Sequence, residues 1–156
     1  MADPIDAKTV YVLNGPALDP FATGEAEKCG HTAPNEVEKL CRATAERFGL
    51  GLVFRQSDAE DEQVGFIHEA TARGAAGLVF SPAAAATASI AIKDAIRLTP
   101  MPAIEIHITN IHARESFRQN SYVSKAAKAV IAGFGIEGYA LAIAGLAGLI
   151  GIKAKA

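Results

Sequence analysis

Short apolar runs closed by turn residues alternate along this chain with longer amphipathic stretches. Thr9–Leu13 (TVYVL) is β-rich and ends on Asn14-Gly15-Pro16, a turn signal. The polar segment after it, to about Pro34, reads as a loop. Asn35 is placed to cap a helix over Glu36–Phe48, with Val37, Leu40, Cys41 and Phe48 on one face and Gly49 as the stop. Leu50–Arg55 (LGLVFR) predicts a second strand. Ser57-Asp58-Ala59-Glu60 has capping-box spacing ahead of a helix across Val64–Arg73. Gly77–Phe80 is a third strand closed by Ser81-Pro82, and Ala83–Ala86 a loop into a helix over about Ser89–Leu98, ended by Pro100 and Pro102. Ala103–Ile108 is a fourth strand. An irregular stretch leads to a fifth around Ala129–Ala132 and a last helix from about Ile136.

Strands alternating with helices predict a parallel sheet covered on both faces. Five strands suit a flavodoxin-like doubly wound α/β domain with three α/β/α layers, spanning residues 1–156 as one unit. The apolar tail from Ala129 to Ile152 is long enough to cross a bilayer, but Glu137 and six glycines interrupt it. The strand–turn–helix reading therefore stands, and no membrane partner is expected.

Composition narrows the function classes. Fifteen Lys and Arg against 17 Asp and Glu leave a formal charge of −2, and half of the residues are hydrophobic. That balance speaks against disorder, nucleic-acid binding and adhesion to anionic membranes. Two cysteines, Cys29 and Cys41, make no disulfide framework. Met1–Lys8 carries Asp3 and Asp6 and no apolar run, so no secretory signal is read there. The expected location is cytoplasmic.

In open parallel sheets, ligands sit beyond the carboxyl ends of the strands. Asn14, Arg55-Gln56-Ser57 and Ser81 follow the first three strands, and Glu105, His107 and Thr109 fall at the end of the fourth. Glu105 and His107 are two apart, so they share a face of their strand. A carboxylate beside an imidazole fixes its tautomer and suits a general acid. The same spacing equally suits a purely structural hydrogen bond. His112, Arg114 and Arg118 follow closely and favour an anionic small molecule, or else form a solvated basic loop. Gly133-x-Gly135-x-x-Gly138 matches a dinucleotide fingerprint, but too little chain follows for a βαβ unit. Those glycines read as tight packing at a strand–helix turn, and no cofactor is implied. Cys29-Gly30-His31 and His107 with His112 lack a familiar metal-ligand spacing. Cys41 lies on the apolar face of its helix and reads as core.

Taken together, Val10–Pro16 (VYVLNGP), Phe54–Ser57 (FRQS), Ile67–Glu69 (IHE), Ser89–Ala95 (SIAIKDA), Glu105–Glu115 (EIHITNIHARE), Phe117-Arg118, Ser121–Ser124 (SYVS) and Gly133–Gly138 resemble the type II 3-dehydroquinate dehydratases. The likeness runs in order over nearly the whole chain. It implies a flavodoxin-like fold, a homododecamer built as a tetramer of trimers, and a lid over about residues 17–34. It also implies a hydro-lyase of the shikimate pathway acting on a small cyclic carboxylate without a cofactor. In that family a lid tyrosine with an arginine-lowered pKa removes a proton beside a ketone. A histidine oriented by a glutamate then protonates the leaving hydroxyl. By that likeness His107 is the general acid and Glu105 its orienting partner. Thr109, beside the backbone of Ile108, holds the carboxylate. Arg118 contacts substrate hydroxyls, Asp94 reaches a neighbouring subunit's site, and Arg114 stands near the lid tyrosine. Asn14 keeps the turn after the first strand.

The likeness breaks on the proton-abstraction side. Cys29 stands where the family has its tyrosine, Gly24 where it has the lid arginine, and Ala17, Ser81 and Thr87 where it has polar or histidine side chains. Three readings follow. One is a lyase with an altered base, Cys29 or His31 replacing the tyrosine with help from Arg114 or Lys28. The second is an ordinary 3-dehydroquinate dehydratase of low rate. The third is a non-catalytic ligand-binding relative.

Overall fold

The computed structural model describes residues 5–16 and 34–155. Cys29, His31, Ala17 and Gly24, with nearly all of the expected lid, lie outside them. Among the described residues, five parallel strands make one sheet: β1 (Thr9–Asn14), β2 (Gly51–Gln56), β3 (Gly77–Ser81), β4 (Ala103–His107) and β5 (Ala129–Ala132), in the order β2-β1-β3-β4-β5. Among the same residues, α1 (Pro34–Arg47), α2 (Glu60–Ala72) and α3 (Ile90–Arg97) lead into β2, β3 and β4, short 3₁₀ turns lead from β4 to β5, and α4 (Glu137–Leu149) follows β5. This is the expected doubly wound architecture. Among the described residues, no helix is long and apolar enough to cross a membrane.

Strand alternation divides the interior into two cores. Val10, Val12, Val79, Ile104 and Ile106 face α1 and α4, where they meet Val37, Cys41, Tyr139, Ile143 and Leu146. Tyr11, Leu13, Leu78 and Phe80 face the other way, against Ile67 and Ala70 of α2 and Ile92, Ala95 and Ile96 of α3. Cys41 is fully buried, as expected of a core residue, and burial pushes its thiol up to about 12.

β5 has the expected span, the other strands differ from the sequence reading by one residue at one or both ends, and the helix starts differ for identifiable reasons. α1 begins at Pro34, so Asn35 lies inside its first turn rather than capping it; proline's fixed φ suits the start of a helix. α2 starts at Glu60, before the expected Val64, and no capping box forms. Its N-cap is Ala59, which makes no side-chain cap. Ser57 instead accepts from the Ala59 N–H at 3.0 Å and donates to Glu62. The acidic run Glu60-Asp61-Glu62 supports this first turn through the helix dipole. Ser89 does cap α3, accepting from the Ile92 N–H at 3.0 Å. Gly49 ends α1 at φ +64, with the Leu50 N–H bonded back to the Ala45 carbonyl, the expected stop. Ala83–Ala86, expected as loop, belongs to a 3₁₀ turn over Ala83–Thr87. Ala83 opens that turn at φ +51, a strained left-handed conformation for an L-residue, at the carboxyl end of β3.

Candidate functional site

Pairing register brings the carboxyl ends of the central strands level. Asn14 pairs with Gln56 on one side and Ser81 on the other, and Phe80 pairs with Glu105. On β4 the even positions Ile104 and Ile106 pack under α1 and α4, so Glu105 and His107 point to the opposite side of the sheet. Glu105 is fully buried and His107 is 8% exposed. The His107 Nε2 lies 2.7 Å from Glu105 Oε1. Ser121 donates to that same oxygen at 2.6 Å, and Ser124 donates to Oε2. Burial alone would push the Glu105 carboxyl up. The hydrogen bonds from His107, Ser121 and Ser124 outweigh it and hold the group below its ordinary value. A buried anion with three donors is thus set against the imidazole.

This has a consequence for acid stability. Because the folded value is depressed, ionised Glu105 stabilises the fold above the ordinary carboxylate range. That contribution is lost as pH falls through the lowered folded value. Thermal midpoints measured from neutral pH to below about pH 4 are expected to fall, and less steeply in Glu105→Gln. Glu69, also held low, contributes to the remaining slope: burial raises it, but Tyr11, Arg73 and Arg55 bring it below its ordinary value.

Beyond His107 the backbone is pinned from β5. The Gly133 N–H donates to the His107 carbonyl at 3.1 Å and the Gly135 N–H to that of Ile108 at 3.0 Å. These glycines sit at φ +91 and +58, and a Cβ on Gly133 would lie 3.2 Å from Asn110 Cβ. They lie at the strand–helix turn read from the sequence, but the tight packing expected there holds only for Gly133; a Cβ on Gly135 would meet nothing within 4 Å, and its positive φ is what calls for glycine. The tie also fixes the backbone beside Ile108 and Thr109, the expected carboxylate grip.

Arg114 and Arg118 do not project as a freely solvated loop. Arg114 Nη1 lies 3.4 Å from Thr109 Oγ1, and its Nε lies 3.5 Å from Glu115. Arg118 Nε donates to the same Glu115 carboxylate at 3.1 Å. The Arg114 side chain is largely buried and that of Arg118 about a third exposed. Glu115 thus gathers both cations near the end of β4. His112 is exposed.

The remaining expected residues are placed apart from the pair. Asn14 is buried; its Nδ2 donates to the Arg55 carbonyl at 3.1 Å, and its Oδ1 accepts from the Tyr139 hydroxyl at 2.7 Å. The buried Ser81 hydroxyl bonds the same phenol, which burial pushes well above its ordinary pKa. Asn14 and Ser81 therefore meet at Tyr139, beneath the strand ends. Thr87 closes the 3₁₀ turn after β3 and donates to the Ala84 carbonyl at 3.1 Å. Asp94 is exposed on α3, 3.2 Å from Lys93. Among the described residues, no group of three or more His, Cys, Asp or Glu side chains gathers in a metal-like cluster.

Sequence reasoning missed the tasks of Ser121, Ser124 and Tyr139. In the sequence the serines stand out only within the Ser121–Ser124 motif, and Tyr139 bonds Asn14 across 125 residues of chain. Tyr139→Phe removes the one hydroxyl shared by Asn14 and Ser81, and is expected to cost about 1–3 kcal/mol in urea unfolding.

Comparison with known proteins places the chain in context. The family described as dehydroquinase class II matches residues 8–147. A 3-dehydroquinate dehydratase of Rhodopseudomonas palustris (strain BisA53) is 51% identical over 96% of this chain and 99% of its own. 3-Dehydroquinate dehydratase 1 of Bradyrhizobium diazoefficiens is also 51% identical, over 100% of both chains. The crystal structure of a type II dehydroquinase from Propionibacterium acnes superposes with a TM-score of 0.84 at 38% identity, covering 90% of this chain and 97% of that one.

Proposed function

The chain belongs to the class II dehydroquinase family, an enzymatic family of dehydratases, and from that membership we propose that it eliminates water from a small cyclic hydroxy-keto carboxylate. The observation that carries this reading is the buried contact of 2.7 Å between His107 Nε2 and Glu105 Oε1. With Nε2 engaged, the Nδ1 of a protonated His107 faces the bound molecule and acts as the acid. A base removes a proton from the carbon beside the ketone, forming an enolate. The C–O bond at the next carbon then breaks, and the leaving hydroxyl takes the proton from His107 Nδ1 as water. Glu105 holds the ring in position. Thr109 and the Ile108 backbone grip the carboxylate, and Arg118 meets the substrate hydroxyls. Asn14, Ser81 and Thr87 shape the floor and rim, and Asp94 serves the site of a neighbouring copy in a homododecamer.

The base differs from the family's tyrosine in this proposal. Cys29 or His31 takes the proton, with Arg114 lowering the pKa of a Cys29 thiol that is ordinarily near about 8.5. A second reading has a specific support: the 51%-identical relatives named 3-dehydroquinate dehydratase span 96% and 100% of the chain. On that reading 3-dehydroquinate itself is turned over.

The test is to add 3-dehydroquinate and follow the enone absorbance of the product. Slow turnover that is lost in Cys29→Ala or His31→Ala supports the altered base. Turnover at ordinary enzyme rates, unaffected by both changes, overturns it and leaves the ordinary dehydratase. No turnover, with thermal stabilisation by quinate-like carboxylates, leaves binding without this reaction.

A further inference from the structure

Glu105 is held by more than the histidine it orients. Ser121 and Ser124 come from a turn 16 and 19 residues further along the chain, and between them they reach both carboxylate oxygens. The turn itself is anchored three ways. Val123, between the serines, is fully buried in the α2–α3 core. The Tyr122 N–H donates to the Ala86 carbonyl at 2.8 Å, tying the turn to the segment after β3. Ser121 Oγ also accepts from the Ser124 N–H at 3.2 Å, so one serine fixes the backbone of the other.

A carboxylate on a single-residue tether can rotate about its side-chain torsions and offer His107 either oxygen or none. Two hydroxyl donors on opposite oxygens remove that freedom. They leave Oε1 aimed at Nε2, with the imidazole plane set by the contact. Interactions of this kind orient a reacting group without touching the substrate.

We propose that Ser121 and Ser124 are positioning residues for proton transfer, acting through Glu105 to hold His107 in one tautomer and one orientation. The inference rests on the assignment of His107 as the acid, so its test includes a reading that needs no turnover.

Ser124→Ala is the informative variant, because Ser121 also holds the turn. Ser124→Thr restores the hydroxyl at a position that is only partly buried. Nitrogen-15 NMR of the His107 ring in the wild type is expected to show the neutral form as the Nε2–H tautomer alone. Ser124→Ala is expected to show mixed tautomers, and Ser124→Thr to return the wild-type pattern. With 3-dehydroquinate, kcat should fall about tenfold in Ser124→Ala with KM within about twofold, and recover in the threonine variant. A His107 spectrum unchanged in Ser124→Ala overturns the proposal. So does a threonine variant no better than alanine, or a rise in KM with kcat unchanged. Should the wild type fail to turn over 3-dehydroquinate, the reaction assigned above fails, and the ring spectra alone decide the serines' role.

Discussion

Replacing His107 with glutamine is expected to lower kcat by about 10²–10⁴-fold while the protein stays folded, the range for losing a positioned acid. A glutamine carboxamide matches the reach of Nε2 and can keep an N–H on Glu105, but it has no proton to give to a leaving hydroxyl. His107→Asn is shorter and is expected to lose the same activity. It also leaves Glu105, fully buried, without one of its three donors. That adds roughly 1–3 kcal/mol of destabilisation, because a buried charge short of a partner carries its desolvation cost. Steady-state assays beside urea unfolding distinguish the two. Equal activity loss with unequal stability loss is the expected pattern. Full activity in either variant would remove His107 from the reaction.

Leu146→Ala is expected to have the largest effect on stability, about 2–5 kcal/mol, or roughly 4–20 °C in thermal midpoint. Leu146 is fully buried on α4, against the α1–α4 side of the sheet. Its fit is to a missing side chain. A Cβ built on Gly77 would lie 2.6 Å from Leu146 Cδ1 and 2.9 Å from its Cγ. The leucine therefore occupies the space that any larger residue at the start of β3 would need. Gly77→Ala alone is expected to destabilise by overpacking, about 1–3 kcal/mol. Combined with Leu146→Ala, its methyl enters the void, and the double variant should be more stable than the sum of the two single losses predicts. Simple additivity in unfolding experiments would show that the two positions do not share this space.

The parts of this architecture readable from sequence were those encoded over a few residues. Short β-rich runs bounded by Asn-Gly-Pro, Ser-Pro and glycine located all five strands, because backbone sterics and strand burial act locally. Gly49 and Ser89 marked helix ends for the same reason. Ser57 misled: its distance from Glu60 fitted a capping box, yet in three dimensions it is drawn to Glu62 and the Ala59 N–H. At the site, Glu105 and His107 were legible because two residues on a strand share a face. The serine donors and the Tyr139 bridge were not, since those contacts close loops of 16 to 125 residues that spacing rules do not reach. Asn14 and Ser81 stood out as polar residues after strands. What sequence did not reveal is that both turn inward to a buried phenol.

The division of β4 between two sides has an evolutionary reach. Its apolar and reactive residues interleave one for one, so inserting or deleting a single residue ahead of Glu105 would exchange them. Glu105 and His107 would then be driven against α1 and α4, while Ile104 and Ile106 lost their core. A frame error of that kind would be removed by misfolding before any loss of catalysis was felt. Selection for a sound fold thus preserves the spacing of the reactive pair even in a descendant with no use for its chemistry. Change in such a lineage is channelled instead into side-chain replacement and into the lengths of the loops beyond the strand.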